Sequence, residues 1–357
     1  MDSQFYNIHK SYEENYKKGP VALNKLRKPH FESAKPKFKF LGFPVNLPFG
    51  IAAGPLLNSR FVKAAFDFGF PICTYKTVRS DVFPCHLFPN VVYVDAPEKL
   101  DPLKTNSIKV RFKPTDPAKI SITNSFGVPS KDPEVWQKDV KKALKYEKKG
   151  QLLILAFMGT VREDQTQQEF IDDFANTGKL SKQTGAKVLE VNLSCPNITN
   201  EGLVCYDLKL TRKICEAIRK AIGNAQLIIK VGYFHKDKDI ETIAKITNEY
   251  ADAIAAINTI QFSIVDKNGN QALPGINRLK SGVGGYAIKW AGLEMVKKLN
   301  LIRNRKNYKF EIVGIGGVMN ERDYFEYQKA GADAVLSATG SMWNPYLGFE
   351  IWKKENI

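Results

Sequence analysis

No apolar stretch of the chain approaches the roughly 18 residues needed to cross a bilayer as a helix. The opening stretch, MDSQFYNIHKSYEENYKKGP, is polar and mixed in charge. Neither a membrane-spanning protein nor a secretory leader is expected, and the chain reads as soluble. Thiols and imidazoles are scarce, with five cysteines (Cys73, Cys85, Cys195, Cys205, Cys215) and four histidines in 357 residues. The cysteines are odd in number and scattered, with no CxxC pair and no histidine cluster. Neither a disulfide framework nor a zinc or iron–sulfur site is indicated, and no metal is expected. A reducing, cytoplasmic setting suits such a set. Internal repeats and low-complexity segments are lacking as well.

What the chain does have is a net charge of +16 and 43% hydrophobic residues. Such charge can serve nucleic acid, an acidic membrane or an anionic small ligand. The lysines, however, are dispersed through YEKKG, KDKD and VKKLN as well as KPKFKF. That is the pattern of a solvated surface, so no nucleic-acid or membrane partner is expected.

After a basic, proline-punctuated lead-in over residues 1–40, short apolar runs alternate with segments of helical period. The runs fall at 45–54, 70–78, 151–159, 186–195, 225–232, 253–261, 309–318 and 332–340. They are continuous rather than alternating, as parallel strands buried on both faces should be. Between them, Thr166 to Glu169 reads as a capping box, and Asp132-Pro133-Glu134 as an N-cap with proline at the first helical position. Leu210, Ile214, Ala217, Ile218 and Ala221 share one helical stripe; Ile240, Ile243, Ala244 and Thr247 share another. Eight strand–helix units predict an α/β fold, a TIM (β/α)8 barrel over 41–357. The rival doubly wound sheet should carry GxGxxG in its first turn, where this chain has AAGPLLNS. The segment 79–150 is too long for a bare loop, and NVVYVD and KISITN within it read as strands of a β-hairpin insertion between barrel strands 2 and 3.

In such a barrel the chemistry lies at the C-terminal strand ends. Those ends hold Ala52, Ala53 and Gly54; Lys76 and Thr77; Asn192 and Cys195; Lys230; Asn258 and Thr259; Gly316 and Gly317; Thr339 and Gly340. Lysines inside apolar strands are costly unless they are used. Taken alone, the cysteine of LEVNLSCPN reads equally well as a small buried hydrophobe. Together with two lysines and several amides it reads as part of a site. GIGGV and SATG, closing the seventh and eighth strands, offer bare amides where barrels commonly hold phosphate. SGVGG at 281–285, with Gly284 and Gly285, adds a further glycine-rich approach.

These residues carry a resemblance. NLSCPN (192–197), TYKT (74–77), TNSFGVP (123–129), INTI (257–260) and IVGIGGV (312–318) together resemble the dihydroorotate dehydrogenases, flavin-dependent barrel enzymes of pyrimidine synthesis, from about residue 41 to 345. The resemblance implies FMN at the barrel mouth. Its phosphate would lie on Gly316, Gly317, Thr339 and Gly340 and its ring near Ala53, Lys76, Asn124, Asn192 and Lys230, with Gly54, Thr77, Gly284 and Gly285 completing the cofactor set. It implies a pyrimidine gripped by Asn124, Asn192, Asn197 and Asn258, helped by Thr259 and the backbone at Phe126, Gly127 and Val128. It further implies Cys195 as catalytic base and Lys76 as a catalytic cation. A cysteine there resembles the soluble, class 1 type.

The chemistry is coherent. A pyrimidine edge alternates donors and acceptors, and a primary amide offers both. Oxidation of the C5–C6 bond needs a base for the C5 proton and an acceptor for the C6 hydride. Departures from the family pattern are NITNEGLVCYD after the cysteine, a longer 80–122 segment and SATGS after strand eight. EGLVCYD also resembles the C-terminal barrel of dihydropyrimidine dehydrogenases. A uracil-type dehydrogenase and a tRNA dihydrouridine synthase are therefore the alternatives. The lead-in shows no wide apolar face, so the expected electron acceptor is soluble, such as fumarate. A homodimer is compatible with the resemblance.

Overall fold

All eight apolar runs become staves of one closed barrel in the computed structural model, which describes residues 3–29, 36–112, 114, 116–194, 203–276 and 278–355. Helix α1 (Tyr12–Lys18) precedes an antiparallel hairpin, β1 (Phe38–Phe40) and β2 (Phe43–Val45). The first staves are β3 (Phe49–Ile51) and β4 (Ile72–Val78), with α2 (Ser59–Asp67) between them. The long connection that follows carries β5 (Ser107–Lys109) and β6 (Ser121–Asn124), then α3 (Pro133–Leu144). Alternation is regular through β7 (Leu152–Phe157), α4 (Gln167–Lys182), β8 (Val188–Asn192), α5 (Leu208–Ile222), β9 (Gln226–Val231), α6 (Asp237–Tyr250) and β10 (Ala253–Ala256). A second excursion holds β11 (Ile260–Val265) and β12 (Lys280–Gly285). The chain then completes α7 (Lys289–Lys306), β13 (Glu311–Ile315), α8 (Glu321–Ala330), β14 (Ala334–Ser337), α9 (Thr339–Trp343) and α10 (Leu347–Glu355). Strands β3, β4, β7, β8, β9, β10, β13 and β14 pair in parallel, and β14 returns to β3 to close the ring.

Local signals account for these elements. Thr166 and Glu169 form the expected capping box on α4, and Asp132 caps α3 with Pro133 in the first turn. On α5, Leu210, Ile214 and Ile218 are buried with Cys215 and Ile222, while Ala217 and Ala221 lie at the margin. All four stripe residues of α6 are buried. Inside the barrel, Ile72, Leu152, Ile154, Val188, Ile228 and Val313 pack together, and Phe40, Leu41 and Val45 of the β1–β2 hairpin plug the N-terminal end. The opposite end is left for function.

The insertion differs from the hairpin read in the sequence. KISITN does supply β6, but NVVYVD contributes only isolated bridges, Tyr93 to Ile122 and Val94 to Val110. The sheet over the mouth has four strands in the order β5-β11-β12-β6, and half of it comes from the excursion after β10. The run 253–261 is accordingly two strands: β10 ends at Ala256, and after Asn258-Thr259 the chain leaves the barrel as β11. β12 is hidden in sequence by the glycines of KSGVGG, which weaken a strand signal. Their cause is close approach, since a Cβ on Gly282 would lie 2.2 Å from Thr259 Oγ1.

The lead-in also packs on this end. Phe5, Tyr6, Ile8 and Tyr12 are buried, the amides of Gln4 and Phe5 donate to the Met342 carbonyl, and Asn58 Nδ2 donates to the carbonyl of Tyr16.

Candidate active site

The C-terminal ends of the staves open into a cleft of about 820 Å³, walled by Ile122, Ile257, Ile288, Ile315, Leu336 and Met342. Of the residues singled out in the sequence, Ala53, Gly54, Asn124, Phe126, Lys230, Asn258, Thr259, Gly284, Gly285, Gly316, Gly317 and Thr339 border it. Beyond β13 the chain turns through Gly316 and Gly317 at φ +123 and +65. The amides of Gly317, Val318 and Thr339 have no acceptor among the described residues. Three open donors at the exits of the seventh and eighth staves make a seat for an anion. Gly340 does not border the cleft. Its Cβ would lie 2.2 Å from the Val318 carbonyl, so glycine there lets α9 approach the 316–318 turn.

The amides converge beside this seat. Asn258 Nδ2 donates to Asn192 Oδ1 at 3.2 Å, and Asn258 Oδ1 accepts from the amide of Thr259. Asn192 Oδ1 also accepts from the amide of Ser194, which leaves its Nδ2 without an acceptor among the described residues. Asn124, at the end of β6, is exposed to the cleft. Donors and acceptors are thus set out along one wall.

Lys76 and Thr77 are placed differently. Pairing of β4 with β7 slips between Tyr75 and Val78, so the two residues sit in a bulge, a device that re-aims side chains near sites. They border a narrow space of about 230 Å³ with Tyr12, Tyr75 and Pro129 rather than the main cleft. Burial, the Arg79 guanidinium and the Lys230 ammonium together draw the Lys76 pKa down to about 7, against a smaller opposing effect of Cys85.

Gly127 and Val128 do not border the cleft; they shape the loop that brings Phe126 to it. Both have positive φ, +74 and +56, and the second is a strained position for a β-branched residue. Arg79 holds them there: Nε donates to the Val128 carbonyl at 2.9 Å and Nη2 to that of Gly127 at 3.1 Å, while Nη1 reaches Gly159 and Thr160. From the other side Arg278 donates to the carbonyls of Leu87, Pro89 and Ser125. Tyr6, from the lead-in, lines the cleft and meets Phe126 edge to face at 5.4 Å. None of these three was marked by a local motif, because a buried arginine and a surface one look alike in sequence.

Cys195 and Asn197 lie outside the described residues. Among the described thiols, burial pushes Cys85 up to about 11 and Cys205 and Cys215 up to about 12, and Cys73 is raised as well. None of those four is set to be a thiolate near neutral pH.

Open amides, unpaired amide donors and buried lysines thus collect at one end of a closed barrel, which defines the class: a barrel enzyme acting on a small ligand. The comparisons give the family. The dihydroorotate dehydrogenase family model matches residues 114–355. The chain is 34% identical to a dihydroorotate dehydrogenase of Dictyostelium discoideum, across 100% of this chain and 98% of that protein. It is 33% identical, across 49% of its length and 55% of the relative's, to the catalytic subunit of a dihydroorotate dehydrogenase B (NAD(+)) of Maridesulfovibrio salexigens. The corresponding subunit of Methanocaldococcus jannaschii is 30% identical across 51% and 56%. The chain belongs to the dihydroorotate dehydrogenase family and is an oxidoreductase.

Proposed function

We propose that this chain oxidises (S)-dihydroorotate to orotate in pyrimidine biosynthesis, with FMN held in the cleft. The observation that carries the reading is the convergence, on one apolar cleft, of open amides at Gly317, Val318 and Thr339, the Lys230 side chain, and Asn258, which is bonded to Asn192 behind the cleft lining. This set fits FMN: the amides suit its phosphate, the isoleucine walls its ring, and a Cβ placed on Gly54 would meet nothing within 4 Å, leaving room for a flat group. When bound, FMN supplies an acceptor for the hydride that leaves C6.

The chain's own residues do the rest. Asn192, Asn258, Asn124 and Asn197 orient the pyrimidine by its donor–acceptor edge. Cys195 takes the C5 proton onto Sγ as the C6 hydride departs, so the C5–C6 double bond forms without a net change in electrons on the protein. Lys76, as ammonium, lies in the β4 bulge beside the cleft, within the electrostatic reach of Lys230, and supplies positive charge for the substrate carboxylate. Lys230 stabilises negative charge at the floor. A soluble acceptor such as fumarate, a dicarboxylate, suits the same cationic site; the NAD(+)-linked relatives make a partner subunit the competing route. The uracil-type reading lacks a use for Lys76, and the tRNA reading gives way to the family.

An anaerobic absorbance scan of the FMN-loaded protein tests this. Dihydroorotate is expected to bleach the flavin and dihydrouracil to do so far more slowly; Cys195→Ala should stay yellow with bleaching slowed ~10²-fold to 10⁴-fold. Faster bleaching by dihydrouracil, or wild-type rates in the variant, would sink the assignment.

A further inference from the structure

Inside the barrel, one layer below the cleft, two charges face each other with almost nothing else to bond. β8 and β9 run in register, with Asn192 beside Lys230 and Glu190 beside Ile228. Strand alternation turns Glu190 and Lys230 inward along with Val188 and Ile228. Lys230 Nζ lies 3.7 Å from Glu190 Oε1, and their side chains are 6% and 0% exposed. Among the described residues neither Glu190 oxygen has a hydrogen-bond partner. Ala156 and Ala255, the neighbours across the ladder, offer none.

Other buried carboxylates here are fully engaged. Asp173 accepts from Ser80 and the amide of Thr160 and pairs with Arg162, and Asp323 accepts from two backbone amides and pairs with Lys289. Those two fix loops; Glu190 fixes none. A buried carboxylate without hydrogen bonds is a poor contributor to folding, and an apolar residue of similar volume would serve stability as well. What Glu190 does touch is Lys230, the one cation among the described residues that borders the cleft.

We infer that Glu190 is a positioning residue for Lys230. It draws the ammonium down against the floor and offsets its charge, so the field felt by a group in the cleft is set by the pair and not by the lysine alone. The inference rests on the reading that FMN occupies the cleft. Lys76 is the other cation near the pair, coupled to Lys230 through space, and it carries no carboxylate partner among the described residues. Removing the Glu190 charge therefore leaves the floor more positive and favours the reduced, more negative cofactor.

The test is a double-mutant cycle on the reduction equilibrium of the FMN-loaded enzyme, read by dye equilibration. Glu190→Gln is expected to favour reduction about tenfold, equivalent to ~30 mV for a two-electron couple. In a Lys230→Met background, where burial raises the Glu190 pKa with no ammonium to oppose it and leaves the carboxyl neutral, the same change is expected to shift nothing. Glu190→Leu, which suits the apolar layer, carries the same expectation should the Gln variant not fold. An unchanged equilibrium in Glu190→Gln, or an equal shift in both backgrounds, would overturn the inference while FMN binding stood. A wild-type protein that retains no FMN would take down the functional reading and this inference with it.

Discussion

Lys76 shows how a single residue reports on its surroundings. Its pKa, drawn down to about 7, lies well below the roughly 10.4 of an ordinary lysine. Between those values the unfolded chain binds more protons than the folded one, so this group's contribution makes stability rise with pH across that window. Function runs the opposite way. An ammonium is needed for a carboxylate ligand, so orotate affinity is expected to hold steady below about pH 7 and to fall by up to tenfold per unit above it. Lys76→Met should bind orotate weakly and with a flat profile; a titration followed by flavin absorbance decides, and an unaltered profile in the variant would free Lys76 from this role. Lys76 and Lys230 were legible because a lysine inside an apolar strand begs a reason. Glu190, in VLEVN, carries the same signal, but it sits one layer below the strand exits and escapes a reading keyed to those exits. Arg79 and Arg278 carry no such signal, since only folding places them under a loop.

Among the elements, the eight staves were legible because each is a continuous apolar run flanked by helical period, and their caps were legible from residue type alone. The four-stranded sheet over the mouth was half hidden. β11 reads as a continuation of β10, and β12 is masked by glycines whose purpose is contact with Thr259. The 125–130 loop is the element with the clearest energetic consequence. Val128 is held at positive φ by hydrogen bonds from Arg79, whose loss would leave the half-buried carbonyls of Gly127 and Val128 and the buried one of Gly159 without these donors. Arg79→Met is expected to cost on the order of 2–3 kcal/mol in stability. It should weaken orotate binding while leaving FMN retention intact, because the loop meets the substrate side. Hydrogen exchange across 125–130 should rise in the variant; unchanged protection there would show that the loop holds itself.

At the scale of the whole molecule, the charge of +16 is mostly solvated surface, yet Lys76, Arg79, Lys230 and Arg278 are buried around one mouth. Such a mouth favours anions on both half-reactions. The isolated protein is expected to turn over dihydroorotate with fumarate, each competing with the other for the same space against the flavin. Turnover only with NAD(+) and an added partner subunit would place the acceptor elsewhere. Among the described residues no helix is long and apolar enough to cross a membrane. The ring itself has a temporal meaning. β3 is sealed by β14, and the amides of Gln4 and Phe5 rest on the carbonyl of Met342, beside the cleft that Tyr6 and Met342 both line. Contacts so distant along the chain form late. A nascent chain folded only as far as β10 holds Asn124 and Asn192 and no finished mouth, so cofactor capture must wait until β14 has closed against β3.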